Sequence, residues 1–321
     1  MKLFFPTLFT ITMAFVTSPL FAAETAWQLK TGPDGVSLIA PTGGEALSYL
    51  TRKPAGSTLS ANSACCFYPL RTPSGESVVT LGPPDHKHHR GVFFAWYQML
   101  GKEKADFWGW GEYAPTAGRI IRNRSVELGG QSAEQATLNI ANDWLVQDAP
   151  MLREKLTATT KTLPEGRWLD LTFVFSAVEE IKLPQVAFSG FCVKARTGKK
   201  AVFTSPDGPV NLPAPHYLKP ETDWPDAAWY DYSVELPNGK TVGLAILSHA
   251  SNPPTKWHNI AGIGMMNPCI LAPGEVTLMP AAPLTLRYAL LVHDGAAPVA
   301  ALNRLAASWR ASGEATPPAK K

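Results

Sequence analysis

No dense run of lysine or arginine occurs in this chain, and the formal net charge is only +3. The electrostatic footprint of a nucleic-acid surface is missing, which excludes nucleic acid as a partner. Cysteine is scarce, with four in 321 residues and none in a C-x-x-C spacing, so a cysteine-rich metal site is excluded too. Adjacent Cys65 and Cys66 could bridge each other only with strain. With Cys192 and Cys269 they leave disulfide pairing and buried thiols both open. Beyond residue 23 no uninterrupted apolar run is long enough to span a bilayer, so a permanent membrane anchor is not expected there. The chain also lacks a G-x-S-x-G elbow, a phosphate loop, a dinucleotide fingerprint and an H-E-x-x-H pair.

What is present begins with a leader. Residues 1–23 open on Lys2, continue through an apolar stretch over 3–16, and leave through Ser18, Pro19, Ala22 and Ala23. This is the pattern of a signal peptide cut after Ala22 or Ala23, and it predicts a periplasmic or secreted protein. No cysteine stands at the junction to carry a lipid.

The body is a succession of short β-like runs punctuated by Gly, Pro, Asn and Asp. In WLDLTFVF, residues 168–175, Leu169, Leu171, Phe173 and Phe175 fall on one face and Asp170 and Thr172 on the other. Pro164-Glu165-Gly166 joins that run to the one over 155–159 as a hairpin, and Pro237-Asn238-Gly239 joins 229–236 to 241–247. Leu284, Leu286, Tyr288, Leu290 and Val292 alternate with Thr285, Arg287 and His293. One helix is predicted, with Val299, Leu302, Leu305, Ala306 and Trp309 at helical spacing after Pro298. The reading is an all-β, large antiparallel β-sandwich with one C-terminal amphipathic helix: a single domain over 24–311 and a frayed tail over 312–321.

Chemistry concentrates in GPPDHKHHRG, residues 82–91. Three His, an Asp and an Arg within six positions cannot all be hidden in a core. If Pro83 and Pro84 hold the segment extended, His86 and His88 leave on one face, with His89 and Arg90 just before the apolar run over 92–96. Two functional readings stand there beside a structural one, a hydrogen-bonded cluster that fixes its own loop. The first is acid–base work, since imidazole titrates near neutrality and Arg90 can hold an oxyanion. The second is a divalent metal on His86 and His88, with a third ligand from Asp85, His89 or His258.

DFWGWGEY, residues 106–113, sets glycines beside tryptophans, as for rings held at a cleft, and such faces suit a sugar. Trp108 is read as a site residue. Trp224, Trp229, Tyr230 and Tyr232 are further candidates that ordinary core packing would equally explain. A connecting loop over 251–258 brings Lys256, Trp257 and His258 to one side of a cleft, and His293 reads as a strand end. A two-carboxylate glycosidase pair could be drawn from Asp85, Asp106, Glu112 or Asp231, but only spacing in three dimensions defines one.

Taken together, PPDHKHHRG with FFAW, DFWG, GRII, LREK, SGF, WYDYS, NGKTVGLAIL, NPPTKWH and LRYALLVHDG resemble the PmoA-like family, from about residue 68 to 295. That family is a bacterial domain of unassigned activity. Its name comes from a methane monooxygenase subunit whose several membrane spans have no counterpart here, so that function is not carried over. The resemblance implies a sandwich like the galactose-mutarotase superfold and a carbohydrate role, since its members commonly accompany sugar-oxidising and keto-sugar-cleaving proteins. It also implies site positions at Asp85, His86, His88, His89 and Arg90, at Asp106 and Trp108, and at Trp257 and His258. Where the family continues toward an Asn-Pro-Phe-Gly-like segment, this chain has Asn267-Pro268-Cys269-Ile270.

The resulting expectation is an enzyme acting on a small-molecule sugar, keto-sugar or glycoside by proton abstraction, in elimination, hydration or epimerisation. His86 or His88 would be the base, His258 an acid, and Arg90 the stabiliser of enolate charge; Trp108 would stack on the ring. Asp85, Asp106, Lys256 and Trp257 would bind substrate. No cofactor is required, a divalent metal is possible, and the rival reading is a non-catalytic carbohydrate-binding protein.

Overall fold

In a computed structural model, which describes residues 1, 26–212 and 227–312, the apolar alternation of the chain folds into two large antiparallel sheets. The expected signal segment, Trp224 and all but the first residue of the expected tail lie outside the described residues. One sheet has seven strands in the spatial order Gln28–Thr31, Gly35–Ile39, Glu45–Leu50, Cys66–Leu70, Val92–Ala95, Gly190–Lys194 and Met265–Met266. The other has nine strands. It runs from Gly208–Val210 through Lys199–Ser205, Trp229–Glu235, Thr241–Ser248, Leu284–Asp294, Gly166–Ala177 and Ala149–Leu163 to Gln135–Val146 and Arg119–Gln131.

The inner faces meet through aromatic side chains. Phe94 of the seven-stranded sheet lies 5.2 Å and 4.6 Å, between ring centres, from Phe173 and Phe175 of the other. Phe191 stacks on Tyr288 at 4.2 Å. This is the expected sandwich, and Leu169, Leu171, Phe173 and Phe175 all point into its core. Both expected hairpins form, with Leu163 opposite Gly166 and Glu235 opposite Thr241.

The helix spans Val299–Arg310 and covers the outer face of the nine-stranded sheet. Leu302, Ala306 and Trp309 seat on Trp168, Trp229, Leu247 and Leu291. Trp309 Nε1 also donates to Asp170 Oδ2 at 2.7 Å. Trp309→Phe keeps most of the ring contact and removes that charge-assisted bond, so it should lower stability by about 1.5–2 kcal/mol. A urea titration with unchanged slope would show it, and an unshifted midpoint would count against the bond's contribution.

Cys65, Cys66, Cys192 and Cys269 are buried free thiols, and burial pushes the Cys66 thiol up to about 12. Among the described residues no helix is long and apolar enough to cross a membrane.

Candidate functional site

The polar segment over 82–91 is coiled rather than extended. His86 N donates to Pro83 O at 3.1 Å and His89 N to His86 O at 3.0 Å, two successive tight turns. Gly82 N closes the loop on His89 O at 2.9 Å. The expectation of an extended segment with His86 and His88 on one face is thereby corrected: the turns, not strand alternation, draw the imidazoles together. Ring centres of His86, His88 and His89 lie 5.8, 5.0 and 4.5 Å apart in the three pairings. Gly91 ends the loop at φ +51°, where a Cβ would fall 2.2 Å from Phe67 O, so only glycine allows this approach to the sheet.

These residues line a cavity of about 440 Å³, within the usual range of small-molecule sites. Pro84, Asp85, His86, Lys87, His88 and His89 form one wall. Trp108, Trp110, Phe188, His258, Ile260 and Met265 form the rest. Trp110 is nearly parallel to His88, with ring centres 6.3 Å apart, and Phe188 lies 5.8 Å from Trp108 and 5.6 Å from His258. Of the residues expected at the site, Asp85, His86, His88, His89, Trp108 and His258 therefore converge.

Four do not. Arg90 is fully buried beneath the loop, and its guanidinium is committed to backbone. Nε donates to Ala64 O at 3.0 Å, one terminal nitrogen to His88 O and Trp108 O, and the other to Phe107 O at 3.1 Å. Its flat face lies 4.5 Å from the centre of the Phe93 ring. It holds the loop, and the expected role at a substrate oxyanion is corrected. Asp106 likewise turns inward: Oδ1 accepts from Gly109 N at 2.8 Å, and Oδ2 accepts from Trp110 N and Gly111 N. Those bonds fold the segment that presents Trp108 and Trp110, with Gly109 at φ +100° passing against Ala61. Trp257 is core, packed on Tyr230 with its Nε1 donating to Ala227 O. Lys256 sits beside it in the short strand Lys256–Trp257, off the cavity wall.

Asp85 is the one carboxylate on the wall. Its Oδ2 accepts from Lys194 Nζ and lies the same 3.1 Å from His86 Nδ1. Partial burial works against its charge, but the bonds to His86 and Lys194 prevail and hold the carboxyl below its ordinary range. An ionised carboxylate can only accept, so His86 donates from Nδ1, a bond that assigns the lone pair to Nε2 in the tautomer able to act as a base. Lys194 is itself buried and also donates to Ile263 O. Burial is the main cause that lowers His88 to about 4, with His86 and Arg90 adding to it, so His88 is neutral near pH 7. His89 is displaced in the same direction by the same causes. Trp108 Nε1 and His89 Nδ1 are buried with no hydrogen-bond partner among the described residues.

The other carboxylates considered lie elsewhere. Asp231 is buried in the nine-stranded sheet, 2.7 Å from His293 Nε2, and accepts from Ser233. Trp229 belongs to the cluster under the helix, and Tyr230 and Tyr232 to the core. Among the described residues no group of three or more His, Cys, Asp or Glu side chains is placed to hold a metal ion, so the His86 and His88 pair has no third ligand there.

Trp110 and Lys87 stood inside the motifs already singled out. Phe188, Ile260 and Met265 carried no signal, lying in ordinary apolar runs. Asn267 opens the segment that leaves the family's pattern at Cys269 and Ile270. It is fully buried and ties two walls together, accepting from Ser189 N at 3.0 Å while its own backbone oxygen accepts from His258 N at 2.8 Å.

The fold has distant solved likenesses. An α-galactosidase of Geobacillus stearothermophilus is 12% identical at TM-score 0.39, over 88% of this chain and 41% of that one. A heparan sulfate lyase of Pedobacter heparinus is 8% identical at TM-score 0.35, over 87% and 37%. The chain thus spans about two fifths of the length of either enzyme. A galactose mutarotase-like protein of Lactobacillus casei is 10% identical at TM-score 0.37, over 84% of this chain and all of that one. At these scores the likenesses bear on neither activity nor ligand. No curated protein matches the sequence. A family model matches residues 39–307, and it is not that of the PmoA-like family. The resemblance drawn from the short motifs is corrected accordingly: the chain belongs to the family described as Family of unknown function (DUF6807).

Proposed function

We propose that the cavity binds a sugar or sugar derivative and removes a proton from it, with His86 as the base. The observation that carries this is the Lys194–Asp85–His86 chain, in which an ionised carboxylate fixes the proton on Nδ1 and frees Nε2 to accept another. As the carbon–hydrogen bond breaks, the proton passes to Nε2 and the positive charge on His86 is stabilised by Asp85. His258, from a separate segment on the other side of the cavity, would return or donate a proton. Trp110 and Phe188 supply the apolar faces against which a sugar ring packs, beside imidazoles that hydrogen-bond its rim, while Trp108, 1% exposed, backs them from the core in place of the stacking role expected of it. The electron pair left on carbon is carried as the enolate of an adjacent carbonyl, from which elimination expels a leaving group and epimerisation returns the proton to the other face; hydration is the elimination run in reverse. Export by the leader over 1–23 belongs to the same proposal, and sequence alone supports it.

The test is a panel of oxidised and unoxidised glycosides, followed by calorimetry and by turnover. Trp110 is nearly half exposed, so Trp110→Ala should spare the fold and weaken binding roughly tenfold. His86→Gln should leave binding within a few-fold and reduce turnover by about 10²–10⁴. Full turnover in His86→Gln would eliminate the base assignment. Binding with no turnover in the wild type would leave a non-catalytic carbohydrate-binding protein.

A further inference from the structure

In the loop over 84–90 and its buried partner Lys194, three cations stand against one carboxylate. Lys87 stands exposed on the wall, Lys194 is buried behind Asp85, and Arg90 is buried beneath His88. Against them the wall carries one acid, Asp85, already shared between Lys194 and His86. The segment over 106–113 adds no acid to the lining, because Asp106 is turned into backbone amides, and neither Glu112 nor Tyr113 lines the cavity. Nor does Lys256 on the segment that brings His258, while behind the wall Asp106 and Glu154 both act electrostatically on Arg90, which leaves Lys87 and Lys194 as the cations nearest a ligand.

The three clustered imidazoles sit within this excess. Burial first, and then one another and the nearby cations, keep His88 and His89 uncharged near neutral pH. A recess lined in this way gains most from a ligand that brings negative charge, since attraction to buried Lys194 is weakly screened and exposed Lys87 adds a salt-sensitive share. The same negative charge would work against the balance that keeps His88 and His89 neutral.

We infer that the cavity selects an anionic sugar, one bearing a carboxylate or a phosphate, and takes up a proton as it binds. The sugar part of this rests on the function proposed above; the charge part rests on the wall itself.

Calorimetry on the full chain at pH 7 tests it with a hexuronate, a hexose 6-phosphate, the matching neutral hexose and inorganic phosphate, each in two buffers of different ionisation enthalpy. The anionic sugars should bind at least about tenfold more tightly than the neutral one, with net proton uptake and a preference that shrinks as salt is added. Lys87→Gln changes an exposed side chain and should cut the ratio of anionic to neutral sugar affinity about fivefold. Preference for the hexuronate alone, or for the phosphate ester alone, supports the inference and names the charged group. A neutral hexose bound as tightly as its anionic counterparts overturns the inference and leaves the sugar reading standing. Binding of inorganic phosphate with no sugar bound does the reverse, and no binding by any of the four overturns both. Anion binding without proton uptake overturns the proton-coupled part.

Discussion

Arg90→Met should cost the fold about 3–5 kcal/mol and disperse the residues of the cavity. Methionine fills much of the same volume, so the loss is not chiefly one of packing. The guanidinium satisfies the carbonyls of Ala64, His88, Phe107 and Trp108, which belong to three separate segments. Each buried carbonyl left without a donor costs about 1–3 kcal/mol. Relief from burying a charge offsets part of that sum, which is why the expected loss falls below the plain total. Arg90→Lys keeps the charge but replaces the planar fork with a single ammonium, and should lie in between at about 2–3 kcal/mol. Denaturant unfolding of the three proteins gives the ranking. A methionine variant as stable as the wild type would show that the bonds to these four carbonyls contribute nothing net.

The second large effect depends on pH and comes from Glu154. This side chain is fully buried, accepting from Asn142 Nδ2 at 3.0 Å and Trp144 Nε1 at 2.8 Å. Burial pushes its carboxyl up to about 7, with those two donors opposing the rise. Below about pH 4.5 the carboxyl is protonated in both folded and unfolded chains and has no effect on the balance between them. As pH climbs from there to 7 the unfolded chain releases its proton first, so unfolding becomes progressively easier. Above 7 both forms are ionised and the penalty levels off at about 3 kcal/mol. Glu154→Gln lacks this slope. The unfolding free energy of wild type minus variant should therefore fall by about 3 kcal/mol between pH 4.5 and pH 8. This difference is independent of whatever fixed cost the amide carries in its new place. Parallel curves for the two proteins across that range would refute the assignment.

The sheets were legible because burial on one face writes a period of two into the residues. The 168–175 run and the 284–292 run both sit as their alternation requires. The helix was legible for the parallel reason, from Val299 to Trp309. At the site, residue type located the chemistry while backbone geometry stayed hidden. Asp85, His86, His88, His89, Trp108 and His258 do meet at one cavity. Arg90 and Asp106 were misplaced because a polar side chain that binds substrate and one that binds its own backbone look the same in a sequence. Only the direction of the side chain separates them, and that is set by the turns over 83–89 and by the amides of 109–111. Trp257 was misplaced for a different reason: His258, just past the end of the strand Lys256–Trp257, lines the cavity, whereas Trp257 turns into the core against Tyr230. The family assignment failed where short motifs were matched one by one, whereas the model that matches extends over residues 39–307.

Arg90, Asp106 and Asn267 share one habit: each grips main-chain atoms that every amino acid possesses. Substitution of a gripped side chain such as Trp110, short of proline, leaves the grip intact, whereas Gly109 and Gly111, at φ +100° and +81°, must stay glycine. The recess can therefore change its lining over evolutionary time, or in a laboratory library, without losing its shape. A scaffold braced in this manner is suited to diversification, with Lys87, Trp110 and Phe188 as the positions where new ligand preferences could be introduced at least risk to the architecture.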